Sequence, residues 1–289
     1  MKKGPVTPKG FRDLGPEQAK KRREAIDKIA GVLEEFGFVP IETPTLEFAD
    51  TLLGKYGEDE KLIYQFADRG GRKLAIRYDL TVPLARFVAN NLGLLDPSFS
   101  RYQIGQVFRG ENPQRGRYRE FTQFDFDTVG SSDLAEDAKV VAAAIKSART
   151  LGLSKAQMAI NDRKNFEGLS TPDVRAIDKI YKVGRDKTEK KLVDFVEKLK
   201  PTGTIKELFE VLGTKYNLRE GEDFFFDPAL ARGLDYYTGV IFELKPTGKP
   251  EELTIGGGGR YDNLIGMFAD REIPAVGFSF GLDRLVELI

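Results

Sequence analysis

Residues Val107–Asp127 read VFRGENPQRGRYREFTQFDFD, and this stretch decides the predicted fold. Two strand-like runs flank a loop with Pro113 and Gly116, which predicts an antiparallel hairpin over about residues 101–128. Four arginines and four acidic residues lie within the stretch. Two explanations account for so many charges of both signs: a solvated surface, or a pocket that holds a zwitterion and a polyphosphate together.

Alternation along the second strand of this hairpin separates two faces, because successive side chains of a strand point to opposite sides. One face carries Arg119, Phe121, Gln123, Asp125 and Asp127, and the other carries Tyr118, Glu120, Thr122, Phe124 and Phe126. We expect the face with Phe124 and Phe126 to meet the core and the first face to form a ligand platform. An exposed hairpin with cross-strand ion pairs, worth about 0–1 kcal/mol each, is the alternative.

The platform face and the adjoining residues of the hairpin carry side chains that suit different parts of a ligand. Phe121 suits stacking on a planar ring. Gln123 and Asp127 suit hydrogen bonds from an ammonium group or an imidazole N–H. The planar forks of Arg109 and Arg117 suit phosphate or carboxylate.

Three further stretches lie outward from the hairpin. ARGLDYYTGVIFE places Arg232 beside an aromatic strand, where a structural ion pair and a functional arginine are equally good interpretations. In GGGGRYDNL, Gly256–Gly259 indicate either a close backbone approach or a flexible loop. GFSFGLDRL places Arg284 in the first turn of a terminal helix, where either an anionic ligand or Asp283 or Glu287 offsets the unfavourable dipole.

Composition narrows the possible chemistry. The 289 residues include 45 basic and 45 acidic residues, so a dedicated basic nucleic-acid module is not expected and any nucleic acid must bind a local patch. Cysteine and histidine are both absent, which excludes thiolate metal sites, cysteine nucleophiles and a histidine general base. No apolar run approaches the length of a membrane span and no signal peptide is visible, so we expect a soluble, cytoplasmic protein.

Periodicity predicts the remaining elements. Helices are expected over residues 16–36, 81–92 and 132–151, with Thr81 as an N-cap, and a Lys/Glu-rich helical region over about 172–218. Strands are expected at residues 38–41, 73–78 and 157–160 and in the tail. Strands joined mostly by hairpins, with helices interspersed, predict an antiparallel α+β domain. We divide the chain into a first part of a core (1–154), a helical insertion (155–222) and the second part of the core (223–289).

Five stretches in the right order resemble the catalytic core of histidyl-tRNA synthetases, a class II aminoacyl-tRNA synthetase family. GFVPIETPTLE at 37–47 is similar to motif 1, FRGENPQRGRYREFTQFDFD to motif 2 and GFSFGLDRL to motif 3. ARGLDYYTG resembles the family's histidine-specific signature, and AIRYDLTVPLARF its usual neighbouring stretch. The similarity runs from PKGFRD at 8–13 to the last helix.

This resemblance implies a six- or seven-stranded antiparallel sheet flanked by helices, in a homodimer built partly through motif 1. It implies that histidine and ATP with Mg²⁺ give histidyl-adenylate, and that histidine then passes to the 3′ acceptor end of tRNA(His). The family continues beyond motif 3 into an anticodon-binding domain. We therefore expect a catalytic core without that domain. The alternative is a histidine-sensing regulatory subunit of ATP phosphoribosyltransferase, which is not catalytic; the retained arginines favour the enzyme.

The resemblance also implies individual roles. For histidine, it assigns Asp79, Thr81 and Gln123 to the α-ammonium end, Asp127, Tyr236 and Tyr237 to the imidazole, and Arg109 and Arg232 to the carboxylate and the reacting α-phosphate. Leu80 is also placed in the histidine-binding set. For ATP, it assigns Glu111 and Phe121 to the adenine, and Arg109, Arg117 and Arg284 to the phosphates. Thr122 replaces a histidine that the family often has, and by alternation it points away from Gln123.

Overall fold

The computed structural model describes residues 5–114, 116–231 and 236–289, and Arg232 lies outside them. Its strands are β1 (Val39–Pro40), β2 (Leu46–Phe48), β3 (Gln65–Ala67), β4 (Lys73–Ile76), β5 (Phe99–Phe108), β6 (Glu120–Val129), β7 (Gln157–Asp162), β8 (Phe224–Phe226), β9 (Val240–Lys245), β10 (Gly256–Arg260) and β11 (Ala275–Gly281). Its helices are α1 (Pro16–Glu35), α2 (Ala49–Leu52), α3 (Thr81–Asn91), α4 (Leu134–Thr150), α5 (Thr171–Asp178), α6 (Ile180–Val183), α7 (Lys190–Lys198), α8 (Gly203–Tyr216) and α9 (Leu282–Leu288). None of the helices in this described part of the chain has the length and apolarity to cross a membrane.

An eight-stranded sheet forms the centre of the molecule, in the order β1-β5-β6-β11-β10-β9-β7-β8. The six inner strands are antiparallel, as the hairpin pattern predicted, whereas both edge strands, β1 and β8, pair in parallel with their neighbours. A parallel pair needs a long crossover connection. The segment with α5–α8 supplies it between β7 and β8. A second sheet of three strands has the order β2-β4-β3.

One face of the central sheet is covered by helices and holds the main core. Phe124 and Phe126 of β6 and Phe278 and Phe280 of β11 are buried there among residues of α1, α4 and α8. The rings of Phe126 and Phe278 lie 5.5 Å apart between centroids. Because side chains alternate, the next residues along β6 and β11 must point to the opposite face. That face bears the candidate site.

Helix boundaries match the expected ones closely, with one correction. Helix α1 ends at Glu35, and Gly37 after it has φ +81°, a conformation that favours glycine at a helix C-terminus. Thr81 is not the N-cap of α3: the helix begins at Thr81, and the N-cap is Leu80, whose side chain makes no capping bond. The Asp79 carboxylate takes that role, because it accepts from the backbone N–H groups of Thr81 and Val82.

The division at residues 154 and 222 stays a prediction. Helix α5 packs on α6 and on α7, as in a small helical unit. Strand β7, however, pairs with β9 in the main sheet, and α8 packs on α4. Both belong to the segment that we assigned to the insertion.

Candidate active site

A cavity of about 660 Å³ opens on the face of the central sheet that is opposite the main core. This volume is typical of sites for small ligands. Strands β6, β10 and β11 contribute its floor, and residues before α3, on α5 and from Gly57–Leu62 contribute its walls. The cavity brings together eleven of the thirteen residues assigned by the sequence: Asp79, Thr81, Arg109, Glu111, Arg117, Phe121, Gln123, Asp127, Tyr236, Tyr237 and Arg284.

Two assigned residues are not among them. Leu80 is fully buried and does not line the cavity, so its role in histidine binding stays a prediction. Arg232 cannot be placed in the cavity, because it lies outside the described residues.

One end of the cavity is acidic. Asp79, Asp125 and Asp127 line it, and each is at most 3% exposed. Burial raises the pKa of all three carboxyl groups, and it raises that of Asp125 to about 7. A bound cation or N–H donor would replace the water that these groups have lost.

Asp79 is held by a set of hydrogen bonds that all end on one carboxylate oxygen. Its Oδ1 accepts from the backbone N–H groups of Thr81 (3.1 Å) and Val82 (3.0 Å) and from the Tyr56 hydroxyl (2.9 Å). Burial and the nearby Asp79 raise the pKa of Tyr56 well above its usual value, so its hydroxyl remains a donor. The start of α3 therefore fixes the orientation of this carboxylate.

Asp127 is fixed from two sides. The Tyr261 hydroxyl donates to its Oδ1, and Arg101 Nη2 lies 2.6 Å from its Oδ2. Gly277 faces Asp127 across the β6–β11 pair, and a Cβ at Gly277 would lie 1.8 Å from Asp127 Oδ1. Glycine at that position leaves the room that the carboxylate occupies.

Polar groups continue along β6 and β11 from Asp127. Gln123 Nε2 donates to Ser279 Oγ at 2.9 Å, and the Ser279 hydroxyl bonds Asp125. Within the described part of the chain, Gln123 Oε1 and Asp125 Oδ1 are buried and have no hydrogen-bond partner. Two acceptors side by side on the cavity floor match a ligand that offers N–H groups.

The other end of the cavity is basic. Arg109, Arg117 and Arg284 line it, and burial together with the two neighbouring arginines lowers the pKa of Arg284. Arg284 Nε and Nη1 donate to the carbonyls of Gly116 and Thr254, each at 3.3 Å. The expected alternative partners, Asp283 and Glu287, form ion pairs with Arg12 instead. Three arginines at one place indicate an anion site.

Aromatic rings lie between and beside these two ends. The Arg109 guanidinium lies 4.2 Å from the centroid of the Tyr78 ring and 5.0 Å from that of Phe121. Arg117 Nη2 donates to Glu111 Oε1 at 2.8 Å. Phe121 and Glu111 thus occupy the edge of the basic end, where a base attached to a phosphate chain would lie.

Aromatic residues also enclose the acidic end. The rings of Tyr236 and Tyr237 lie 4.9 Å apart, and those of Tyr236 and Tyr261 lie 5.9 Å apart. The wall therefore combines apolar rings with hydroxyl groups, which suits a small ring that carries polar atoms.

Several residues of the cavity carried no assignment from the sequence. Asp125 was on the expected platform face, and Tyr261 was in the quoted glycine-rich stretch, but neither was given a role. Ser279 was in the stretch GFSFGLDRL but received no role, and Tyr56 lay in a segment with no motif that singled it out. Alternation along β11, read against that of β6, would have found Ser279.

Two open alternatives are settled by the fold. Gly256–Gly259 is not a flexible loop but most of strand β10, buried between β9 and β11. A Cβ at Gly258 would lie 1.9 Å from the Gly277 carbonyl oxygen, so close backbone approach is the reason for glycine there. The charged hairpin is not an exposed surface either, because four of the five residues of its platform face line the cavity. The exception is Arg119, which does not line the cavity and donates to the Glu111 carbonyl instead.

Comparison with known proteins gives the family. The sequence model described as Histidyl-tRNA synthetase matches residues 10–201 and 165–285. This chain belongs to the histidyl-tRNA synthetase family. A curated relative from Aeropyrum pernix, named Histidine--tRNA ligase, is 40% identical over 98% of this chain and 74% of its own length. The predicted resemblance is confirmed.

Solved structures agree with the family and the fold. The structure of histidyl-tRNA synthetase from Nostoc sp. PCC 7120 has a TM-score of 0.84 and 28% identity, over 99% of this chain and 75% of that one. A Bacillus halodurans structure, titled as an ATP phosphoribosyltransferase regulatory subunit/histidyl-tRNA synthetase, has a TM-score of 0.80 and 26% identity, over 98% of this chain and 82% of that one. In this histidyl-tRNA synthetase family member, the stretch similar to motif 2 spans β5–β6 and that similar to motif 3 spans β11–α9.

Proposed function

We propose that this chain is the catalytic core of a histidine–tRNA ligase. It joins histidine and ATP to histidyl-adenylate with release of pyrophosphate, and then transfers the histidyl group to the 3′-terminal adenosine of its tRNA. The observation that carries the proposal is the division of one cavity into an end with three buried carboxylates and an end with three arginines. Histidine, with its ammonium and ring N–H groups, suits the acidic end, and the phosphates of ATP suit the basic end. Membership of the histidyl-tRNA synthetase family indicates that the amino acid is histidine.

Histidine occupies the acidic end in this proposal. Asp79, Thr81 and Gln123 hold the α-ammonium group, and Asp79 is already oriented by its bonds to α3. Asp127 and Tyr237 bind the imidazole nitrogens, with Tyr236 as a wall. A pocket that pairs both ring nitrogens leaves buried groups unpaired with any other amino acid, and such sites discriminate by about 10⁴–10⁵.

ATP occupies the basic end. Phe121 stacks on the adenine, and Glu111, which accepts from Arg117 through Oε1, bonds the edge of the adenine. Arg117 and Arg284 then face the phosphates, and Arg109 bridges the α-phosphate and the histidine carboxylate. Arg232 is assigned to the α-phosphate by the resemblance. Mg²⁺ enters as part of the substrate MgATP, since this ion keeps phosphates and waters as ligands.

Adenylation on this site needs no general base. The histidine carboxylate is ionised at neutral pH and attacks the α-phosphorus, whose bond to the pyrophosphate oxygen breaks. Two anions must be aligned, and negative charge must be stabilised as the reaction proceeds. Arginines do both, so the absence of histidine and cysteine from the chain is compatible with the chemistry.

The remaining partners follow the same proposal. The acceptor end of tRNA(His) approaches the cavity mouth near α5–α7, where Lys182–Lys191 offers basic side chains, although Lys191 already pairs with Asp173 and Glu189. We place the reaction in the cytoplasm, with the other substrates of translation. We also propose a homodimer, supported by the exposed apolar residues Val39, Leu46, Phe48 and Phe66 on β1–β3.

Histidine-dependent exchange of pyrophosphate into ATP tests the proposal. Exchange is expected with the wild-type chain, and Arg232→Ala is expected to abolish it. Arg284→Gln is expected to raise the KM for ATP by at least about tenfold with little change in the KM for histidine, because it lies at the basic end. Histidine binding without any exchange would instead favour the regulatory subunit.

A further inference from the structure

Arg101 on β5 is a buried cation that no motif singled out. Its side chain is fully buried, and it lies beneath the acidic end without lining the cavity. Removing a guanidinium from water is costly unless a partner compensates. Groups in the immediate surroundings of Arg101 must therefore compensate for the burial of its charge.

Those surroundings contain two carboxylates of the cavity floor. Arg101 is directly opposite Asp127 in the β5–β6 pair, and Nη2 lies 2.6 Å from Asp127 Oδ2. This contact is an ion pair without the alignment of a hydrogen bond, and within residues 5–114, 116–231 and 236–289 Nε and Nη1 of Arg101 have no acceptor either. Arg101 also acts on Asp125, whose pKa it lowers against the effect of burial. The positive charge, rather than a network of hydrogen bonds, is what Arg101 supplies.

We propose that Arg101 is a positioning residue that holds Asp127 as an ionised carboxylate aimed at the imidazole of bound histidine. The proposal rests on the proposed function, because it assumes that histidine occupies the acidic end. Arg101 touches neither substrate and acts through Asp127.

Among the residues that the structure describes, the charged and titratable groups that act on Asp127 are consistent with this role. Asp79 before α3 disfavours its ionisation, and Tyr261 after β10 donates a hydroxyl. The neighbouring Asp125 on β6 has its own pKa raised to about 7, by burial and in part by Asp127. Strand β11 offers Gly277 and no charge. Within the described part of the chain, Arg101 thus supplies the positive charge that lowers the pKa of Asp127 while burial raises it.

An ionised Asp127 has a chemical consequence for recognition. A carboxylate only accepts hydrogen bonds, so it takes the Tyr261 hydroxyl on one side and a ring N–H of the ligand on the other. A protonated Asp127 would carry a donor that competes with that N–H. Arg101 therefore contributes to the choice of histidine and not only to the stability of the sheet.

Four variants test the proposal: Arg101→Met, Arg101→Lys, Asp127→Asn and the double variant R101M/D127N. We expect Arg101→Met to raise the KM for histidine by at least about tenfold and the KM for ATP by less than about twofold. Without Arg101 the pKa of Asp127 is higher. As the pH is lowered, kcat/KM for histidine should therefore begin to decrease at a higher pH in Arg101→Met than in the wild type. Arg101→Lys keeps the charge and should follow the wild-type pH profile. An unchanged KM for histidine and pH profile in Arg101→Met would overturn the proposal.

The double variant covers the case in which Arg101→Met does not fold, which circular dichroism would reveal. If Arg101 affects histidine binding chiefly through Asp127, with only a small share through Asp125, its removal should cost little once Asp127 is replaced, so R101M/D127N should match Asp127→Asn within about twofold. A further loss of about fivefold or more would refute the proposal.

Calorimetric titration with histidine repeats the comparison without any need for exchange. Absence of pyrophosphate exchange in the wild-type chain would refute the proposed function. Unchanged histidine binding in Arg101→Met would remove the role of Arg101, whichever way the first result falls.

Discussion

At the scale of single residues, the site is built from charges that the fold desolvates. Asp125 shows the free-energy cost of this desolvation, because it is only 2% exposed and lies beside another carboxylate, Asp127. Natural proteins accept such local penalties where a ligand later compensates them. Asp125 is therefore the residue whose titration should be visible in the stability of the ligand-free chain.

Asp125→Asn should change how stability depends on pH. The pKa of Asp125 is about 7 in the folded chain and about 3.8 without burial, so between these values the folded state binds the proton that the unfolded state releases. The contribution of Asp125 to stability is thus complete below about pH 4 and is lost as the pH rises through about 7. Relative to the wild type, Asp125→Asn should be more stable at about pH 8 than at about pH 4.5.

Urea denaturation of both chains at the two pH values measures this difference. The ordinary drift of stability with pH cancels, because it affects both chains. A difference in unfolding free energy that stays constant across the window would contradict the raised pKa of Asp125.

Alternation along one strand was enough to predict the platform residues Gln123 and Asp127, because period two needs no tertiary information. Alternation could not show that Asp125 matters more than other platform residues, and it could not identify Arg101 as the partner of Asp127. Whether a buried charge is paired depends on the neighbouring strand and its register, which a single strand pattern does not contain.

At the scale of elements, helix α3 begins on a residue of the site. The Asp79 carboxylate both caps the helix and faces the cavity, so one side chain links local structure to binding. The sequence predicted a helix start here but assigned the cap to Thr81. Asp, Thr and Ser all cap well, and only the backbone angles of Leu80 and Thr81 decide which residue lies outside the helix.

Two substitutions at Asp79 should separate capping from binding. Asp79→Asn keeps an oxygen that accepts the N–H groups of Thr81 and Val82 but removes the charge, so stability should be retained while the KM for histidine rises by at least about tenfold. Asp79→Ala should have the same effect on KM and should also lose about 1 kcal/mol of stability. Thermal unfolding and pyrophosphate exchange measure the two effects, and equal stability of the two variants would show that capping by Asp79 contributes nothing.

The glycines of β10 and β11 carry a similar double role. Gly277→Ala places a Cβ 1.8 Å from Asp127 Oδ1, and the movable partner is the carboxylate rather than the backbone. We expect the sheet to persist with a loss of about 1–3 kcal/mol, while the KM for histidine rises by at least about tenfold.

Gly31→Ala is the matched control for Gly277→Ala. Gly31 is exposed within α1 and has nothing near its missing Cβ, so alanine should add about 0.5–1 kcal/mol of stability and leave the KM unchanged. Equal KM values for the two alanine variants would mean that the room beside Asp127 is not needed.

At the scale of the whole molecule, hairpin signals predicted an antiparallel domain, and the family resemblance implied six or seven antiparallel strands, but neither predicted the two parallel edges of the eight-stranded sheet. The sequence predicted a strand at residues 38–41, where β1 lies, but β1 and β8 have only two and three residues, too few for a pattern that would show their parallel pairing with β5 and β7. Most residues of the cavity could be predicted from the sequence, because similarity to a family indicates which residues distant in the chain come together. Periodicity carries no such information. Its division into acidic and basic ends needed the register of β5, β6 and β11.

The proposed homodimer makes a prediction at this largest scale. Phe48 and Phe66 flank Leu74 in the three-stranded sheet, and they are 58% and 43% exposed, so they form an apolar row that faces solvent in one chain. Apolar patches of this kind mark interfaces, and β2 begins within the stretch similar to motif 1. Phe48→Glu should therefore shift the chain from dimer to monomer in analytical ultracentrifugation. Leu94→Glu, an equally drastic change at an 85% exposed residue outside this sheet, should leave the dimer intact. A wild-type chain that is monomeric at all concentrations, or a Phe48→Glu variant that remains dimeric, would exclude this sheet as the interface.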